Sequence, residues 1–417
     1  MNVQEKSVEA TVEVPYPMQS RQDLIVAAEL EHDLGTLRHG YGPVVPALMP
    51  FGEGNAWIAI GYNEVRQVMS DERFVVWKHR GNNYPRLRFN EGNRPPFRMA
   101  FDKMDGPEQI ARRRVLAKHL SAKRVMGMRE ETRNKVENFL DGFIAKGQGA
   151  DAMKNFVEHV PLAVISDLLG VPAEETDIFL EAALDHMNGR ITSEEQANTH
   201  INKVNAYFDH LVARRHEEPG DDLISALLND VGGIWDDEEL GGVGFVLLTA
   251  GHDSTASIIG GILFWLAHDP ERFRYLKENR EILPRAIEEF LRVVPAGTGT
   301  RVRIATEDVE IGGVTVKKDD GIHPVVHPAN FDETIFENPE ELNFAREGET
   351  HLRFGFGSHA CPGNQLARME IREVLDAVLN RFATFEATVP SENWRGEMLM
   401  RGPKELKVNW TLEEDQP

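Results

Sequence analysis

Cys361 is the only cysteine in the 417 residues. It lies in the stretch Phe354-Gly355-Phe356-Gly357-Ser358-His359-Ala360-Cys361-Pro362-Gly363. Gly355 and Gly357 can take backbone angles closed to other residues, so the stretch can turn tightly and lay its backbone against a large planar ligand. Gly363 removes a side chain where a second close approach is expected. Pro362 suits the first position of a helix, because its missing N–H would have no intrahelical partner there. Gln365, Leu366, Ala367, Met369, Ile371, Val374 and Leu375 then continue as a long, largely buried helix. The sulfur of Cys361 is therefore expected at a helix N-terminus, where backbone N–H groups favour thiolate over thiol. One thiolate in a glycine-lined loop can serve as a soft axial ligand to haem iron. Zinc and iron–sulfur sites need several Cys or His ligands at set spacings, and a second cysteine is missing. Most single cysteines are small buried hydrophobes; the glycine pattern argues against that here.

A second stretch, Ala250-Gly251-His252-Asp253-Ser254-Thr255, carries a glycine, an acid and two hydroxyls. It falls in the middle of a helical pattern over 236–268, bounded by Asp236-Asp237 and Asp269-Pro270. At about 1.5 Å per residue this helix spans nearly 50 Å, enough to cross the molecule. Val246 to Ile262 is apolar on almost every face, so the polar groups sit in a core, where they need partners. Glycine opens a groove, and hydroxyl and carboxylate together can relay protons. A kink held by local hydrogen bonds accounts for the same residues, and both readings can hold.

The pattern Phe-Gly-x-Gly-x-His-x-Cys-x-Gly resembles the haem-binding loop of the cytochrome P450 superfamily of haem-thiolate monooxygenases, position for position. The resemblance spans most of the chain. It implies a mainly α protein with small β-sheets, a single-domain P450 fold with haem b (iron protoporphyrin IX) between the long central helix and the cysteine-loop helix. It makes Cys361 the iron ligand, with Phe354 shielding the sulfur, Gly355 and Gly363 close to the ring, and His359 at a propionate. Arg303 and Arg113 match further propionate ligands. Gln109 stands where the family has a propionate-binding histidine. Ala250-Gly251-x-Asp253-Ser254 matches the oxygen-activation motif, with Ser254 at the alcohol position. Thr255, one residue on, is expected about 100° around the helix. Glu289 and Arg292 match the Glu-x-x-Arg pair, with Arg346 as the third member of that network. The pocket wall is expected from Val246, Ala250, Ala296, Thr298 and Arg301. The family's Asn-Arg-Asp appears as Asn330-Phe331-Asp332.

The elements around these stretches are legible in outline. Helical spacing covers 22–40, 63–69, 106–116, 126–146, 150–170, 174–188, 194–217 and 286–292. Trp57 to Ile60 reads as a strand, and 308–316 as a hairpin around Gly312-Gly313. Residues 77–100, rich in proline and arginine, read as a long loop, which inside a compact domain is usually functional. In the family this segment covers the substrate. Its arginines, Arg88 and Arg98 among them, together with Arg301, allow a substrate with an anionic or strongly polar group; pairing with surface acids or exposure to solvent accounts for the same residues, and then the pocket is apolar. His323 and His327 stand four apart, but in an extended, proline-broken context that does not suit a metal pair.

Hydrophobic residues make up 41% and charged residues 27% of the chain, ordinary for a soluble globular protein. The sequence shows no linker or repeat, so 1–417 reads as one domain, with 1–20 a flexible N-terminal segment. A net charge of −22 argues against nucleic acid and anionic membranes as partners. Met1 to Val14 has no apolar run for a signal or anchor. A cytoplasmic, bacterial-type enzyme follows. No flavin or nicotinamide domain is recognisable, so electrons are expected from a ferredoxin-type donor with a separate reductase. Arg112, Arg114, Lys118, Arg353 and Arg368 are expected to form its basic docking patch. Small-molecule substrate and O2 complete the predicted partners. Rival readings are a haem-thiolate enzyme of another outcome (oxidative coupling, epoxidation, isomerisation, peroxide use) and a non-catalytic haem sensor or carrier.

Overall fold

The computed structural model describes residues 14–15, 35–76, 83–87, 101–178, 193–230, 232–297, 300–391, 393–396 and 401–413. Residues 35–41 are helical. The strands of the first half are β1 (Val14–Pro15), β2 (Val44–Leu48), β3 (Ala56–Ala59) and β4 (Phe74–Val75), with helix α1 (Tyr62–Ser70) before β4. Helices α2 (Gly106–His119), α3 (Ala122–Ile144), α4 (His159–Leu169), α5 (Glu194–Glu217), α6 (Leu223–Leu228) and α7 (Asp237–His268) follow. Next come α8 (Pro270–Glu278), α9 (Leu283–Val293), β5 (Arg303–Ala305), β6 (Val309–Ile311), β7 (Val314–Val316), β8 (Gly321–Pro324) and α10 (Val326–Ala329). Helix α11 (Asn364–Arg381) and strands β9 (Phe382–Ala387), β10 (Trp394–Gly396), β11 (Arg401–Pro403) and β12 (Val408–Leu412) close the chain.

The main sheet runs β1-β2-β3-β8-β5-β4, and the described residues also form three two-stranded ribbons. The 308–316 hairpin is β6–β7, turned by Gly312 and Gly313 at φ 56° and 83°. Val14–Pro15, expected within the flexible N-terminal segment, instead pairs in parallel with Ala47–Leu48. The C-terminal ribbons β9–β12 and β10–β11 are additions to the expected elements.

Helix α7 organises the molecule. It starts at a capping box, in which the Asp236 carboxylate accepts from Glu239 N–H and Glu239 reaches back. Its C-terminal part lies in the largest apolar cluster, with Ile262, Leu263 and Leu266 at 0% exposure, and its N-terminal part in a second one with Leu240 and Leu248. This helix has the length and apolar composition to cross a membrane, yet most of it is buried inside the fold. Helices α4 and α5 pack along α7, and α11 packs on α3. Helix α11 begins at Asn364, not at Pro362. Pro362 and Gly363 are spent on the turn out of the loop, so Cys361 stands three residues ahead of the helix.

Candidate active site

The cysteine loop is fixed by its own backbone. Gly355 N–H donates to Leu352 O at 2.7 Å, and Cys361 N–H donates to Phe354 O at 2.6 Å. Gly355 and Gly357 both sit at φ 71°, in the left-handed region that favours glycine. A Cβ on Gly357 would stand 2.6 Å from the Met69 carbonyl oxygen. Phe354 packs on the main core, and the Arg368 guanidinium lies 4.4 Å from its ring centroid. Burial pushes the Cys361 thiol up, while the Gly363 N–H and the charges of Arg113 and Arg368 pull it back.

Above this loop is a cavity of about 380 Å³. Cys361, Phe354, Gly355 and Gly363 line it on one side, and α7 lines it on the other. Val246, Ala250 and Ser254, four residues apart, present one α7 face to the cavity, with Gly251 beside them. Thr255 lines it too, so the rotation expected to turn it away does not remove it. A cavity wall wider than 100° takes in both hydroxyls. Ser254 Oγ donates to the Ala250 carbonyl at 2.5 Å. Asp253 is 5% exposed and lies outside the cavity lining.

At the rim, Arg303 is 6% exposed and its Nε has no partner. Burial brings its pKa down to about 10, against the pull of Asp105. A buried guanidinium lining a cavity with no bound carboxylate calls for an anion from a ligand. Arg113 and His359 line the same rim. His359 Nε2 stands 3.2 Å from Asp105 Oδ1, and burial lowers its pKa. One thiol, glycine approaches on the loop face and a cationic rim fit haem with its two carboxylates.

Three expectations are corrected. Gln109, expected at the haem edge, is 1% exposed and does not line the cavity; its Nε2 donates to Ser358 O at 2.7 Å. Arg301 does line the cavity, but it carries its own counter-ion, Asp102 at 2.6 Å. A neutralised arginine is a poor carboxylate anchor, so the anionic-substrate expectation loses its described support; Arg88, Arg98 and Thr298 lie outside the described residues. Ala296 is on the wall as expected.

The basic patch is reduced as well. Arg353 points inward, donating to Leu291 O at 2.9 Å and Val294 O at 2.6 Å. Arg112 is paired with Glu239 at 2.6 Å, and Arg368 with Glu288 at 2.6 Å. Glu288 is held at about 2, because its bonds from Arg368 and His351 outweigh a burial that would raise it. Arg114 and Lys118 remain exposed on α2, Lys118 with Asp230 at 3.8 Å. His323 and His327 are buried and engaged, His323 Nε2 with Thr300 Oγ1 at 2.8 Å and His327 Nδ1 with Arg353 at 3.2 Å.

The Glu289 network has the expected members. Arg292 Nε and a terminal nitrogen donate to Glu289 at 3.0 and 2.8 Å, and Arg346 Nε donates to it at 3.0 Å. One residue was missed: Glu370 of α11 is 2% exposed, lines the cavity and has an unpartnered Oε2, and burial raises its pKa well above 4.5. The available signal was helical position: Glu370 stands one residue from Met369 and Ile371 and four from Leu366 and Val374, all buried.

A family profile described as Cytochrome P450 matches residues 192–410. Nocardicin C N-oxygenase of Nocardia uniformis subsp. tsuyamanensis is 36% identical over 90% of this chain and 96% of its own. The chain belongs to the cytochrome P450 family. Mycinamicin IV hydroxylase/epoxidase of Micromonospora griseorubida is 34% identical over 88% of this chain and 92% of its own. Among solved structures, the mixed-function P450 MycG superposes with a TM-score of 0.83 at 32% identity, covering 95% of this chain and 100% of that one. This P450 is thus a bacterial-type monooxygenase with haem held by a cysteine thiolate, and Cys361 is the only cysteine it has.

Proposed function

We propose that this P450 uses Cys361 as the axial ligand and Ser254, Thr255 and Asp253 to manage protons, oxidising a small organic substrate of natural-product metabolism. The observation that carries this reading is the single thiol facing, across one cavity, an α7 wall with the Thr249, Ser254 and Thr255 hydroxyls. Bound haem supplies oxygen activation, with electron density pushed from the thiolate. Arg303, Arg113 and His359 neutralise its carboxylates at the rim. Ser254 donates to Ala250 O, so its oxygen lone pairs remain to accept from a water in the cavity. Turning that hydroxyl releases a donor toward the opposite wall. Asp253, buried beside it in sequence, is the proton source behind the hydroxyls. Ala296, Gly297 and Val246 leave room for the substrate and keep that wall dry.

Electrons come from a ferredoxin-type protein with a separate reductase. The supporting features are the exposed Arg114 and Lys118 of α2 and two exposed apolar side chains, Ile110 at 45% and Phe356 at 38%. An apolar centre with basic neighbours suits an acidic redox partner. A cytoplasmic location belongs to the same proposal. The experiment is reductant-driven O2 consumption in Ser254→Ala and Thr255→Ala. Ser254→Ala should keep substrate affinity and divert electrons to peroxide. If Ser254→Ala stays coupled while Thr255→Ala does not, Thr255 holds the role; if both stay coupled, the hydroxyl assignment is wrong.

A further inference from the structure

Three consecutive residues ahead of Cys361 are held by one face of α2. Asp105, Gln109 and Arg113 are four residues apart and so stack along one side of the helix. Asp105 Oδ1 faces His359 Nε2 at 3.2 Å. Gln109 Nε2 donates to the Ser358 carbonyl at 2.7 Å. Arg113 donates to the Ala360 carbonyl. The outer two links involve ionisable groups that also line the cavity rim. The middle link is neutral, 1% exposed and away from the cavity, and Gln109 Oε1 has no partner and no access to solvent. An amide held this way cannot turn toward a ligand without leaving the Ser358 carbonyl unpaired in the interior.

We propose that Gln109 is a positioning residue for the axial cysteine: it clamps the loop to α2 and is not a contact for the haem edge. The loop needs such a clamp because Gly355 and Gly357 make its backbone permissive. Among the described residues, the segment from Gly357 to Cys361 has one internal backbone bond, the turn Ala360 N–H to Gly357 O at 3.1 Å. Gln109 fixes the Ser358 peptide inside that turn. Arg113 and His359 line the rim where the cofactor's carboxylates would sit, while Gln109 sets where the sulfur stands. The inference rests on Cys361 being the ligand.

The test uses the haem-loaded full chain and the lifetime of the thiolate-type ferrous–CO band in mild urea. Gln109→Met keeps the length and removes the donor. The band should be lost at least about tenfold faster than in the wild type, the effect of one buried carbonyl left unpaired. Gln109→Glu adds a readout that packing alone does not move. Protonated, the acid donates to Ser358 O; ionised, it cannot. Its band lifetime should approach the wild type at about pH 5.5 and Gln109→Met at about pH 8.5, each compared at the same pH because other ionisable groups stand nearby. Should Gln109→Met fail to fold, the pH profile of Gln109→Glu decides alone. Band lifetimes equal to wild type in both variants overturn the proposal. So does faster haem transfer to apomyoglobin with the thiolate band intact in the haem that remains, which would make Gln109 a haem-edge residue. A wild type without a thiolate band would instead refute the ligand assignment beneath it.

Discussion

Replacing Arg292 with methionine tests how far the fold depends on one buried charge network. Arg292 is 1% exposed and Glu289 is 5% exposed. The guanidinium donates twice to Glu289 and also to Asn330 O at 2.9 Å and Glu341 O at 3.1 Å. Arg292→Met leaves the Glu289 carboxylate buried with Arg346 and the Asn343 N–H, and leaves two carbonyls short of a donor. Breaking a buried pair on one side costs about 3–5 kcal/mol. The unfolding entropy near Tm is about 2.1 cal/mol/K per residue, or roughly 0.9 kcal/mol/K for this chain, so Tm should fall by about 3–6 °C. The assay is thermal unfolding of the haem-loaded protein followed by far-UV circular dichroism. Arg292→Met combined with Glu289→Gln should recover part of the loss, because it removes the stranded charge. A single variant within 1 °C of wild type, or a double variant worse than the single, would refute the argument that charge burial sets the cost.

Glu370→Gln should act with pH. The folded state raises the carboxyl pKa above 4.5, so the folded protein binds the proton more tightly than the unfolded chain does. The stability this lends is complete below pH 4.5 and is lost as pH rises through the folded pKa. Glu370→Gln should therefore raise Tm at pH 8 and leave it nearly unchanged at pH 4.5; equal shifts at both would show that the carboxyl is not held neutral. Arg114→Glu should slow electron transfer from an acidic ferredoxin several-fold at low salt, with the difference fading as salt rises. A rate that ignores the substitution at every ionic strength would remove Arg114 from the docking face.

The candidate site residues stand out in the sequence because their constraints are local. A glycine loop that must turn left-handed at Gly355 and Gly357, or an acid and hydroxyls inside an apolar helix, departs from the surrounding pattern over a few residues. Arg346, 57 positions from Glu289, was reachable only through the resemblance. Side-chain direction was not legible. Arg353 and Arg368 both flank the cysteine in sequence, yet one donates to Leu291 and Val294 in the interior and the other pairs with Glu288. Arg301 looked like an open cation because Asp102 is 199 residues away in sequence. Gln109 looked like a substituted cofactor ligand because its partner is a backbone carbonyl, which no sequence pattern marks. The start of α11 slipped from Pro362 to Asn364 because the loop needed the proline for its exit turn.

The central claim is that Cys361 binds the iron as a thiolate. The reduced protein under carbon monoxide should absorb at about 450 nm, the mark of a thiolate ligand, and Cys361→His should abolish that band while apolar packing keeps the chain folded. A wild type that lacks the band, or a Cys361→His variant that keeps it, would contradict the account.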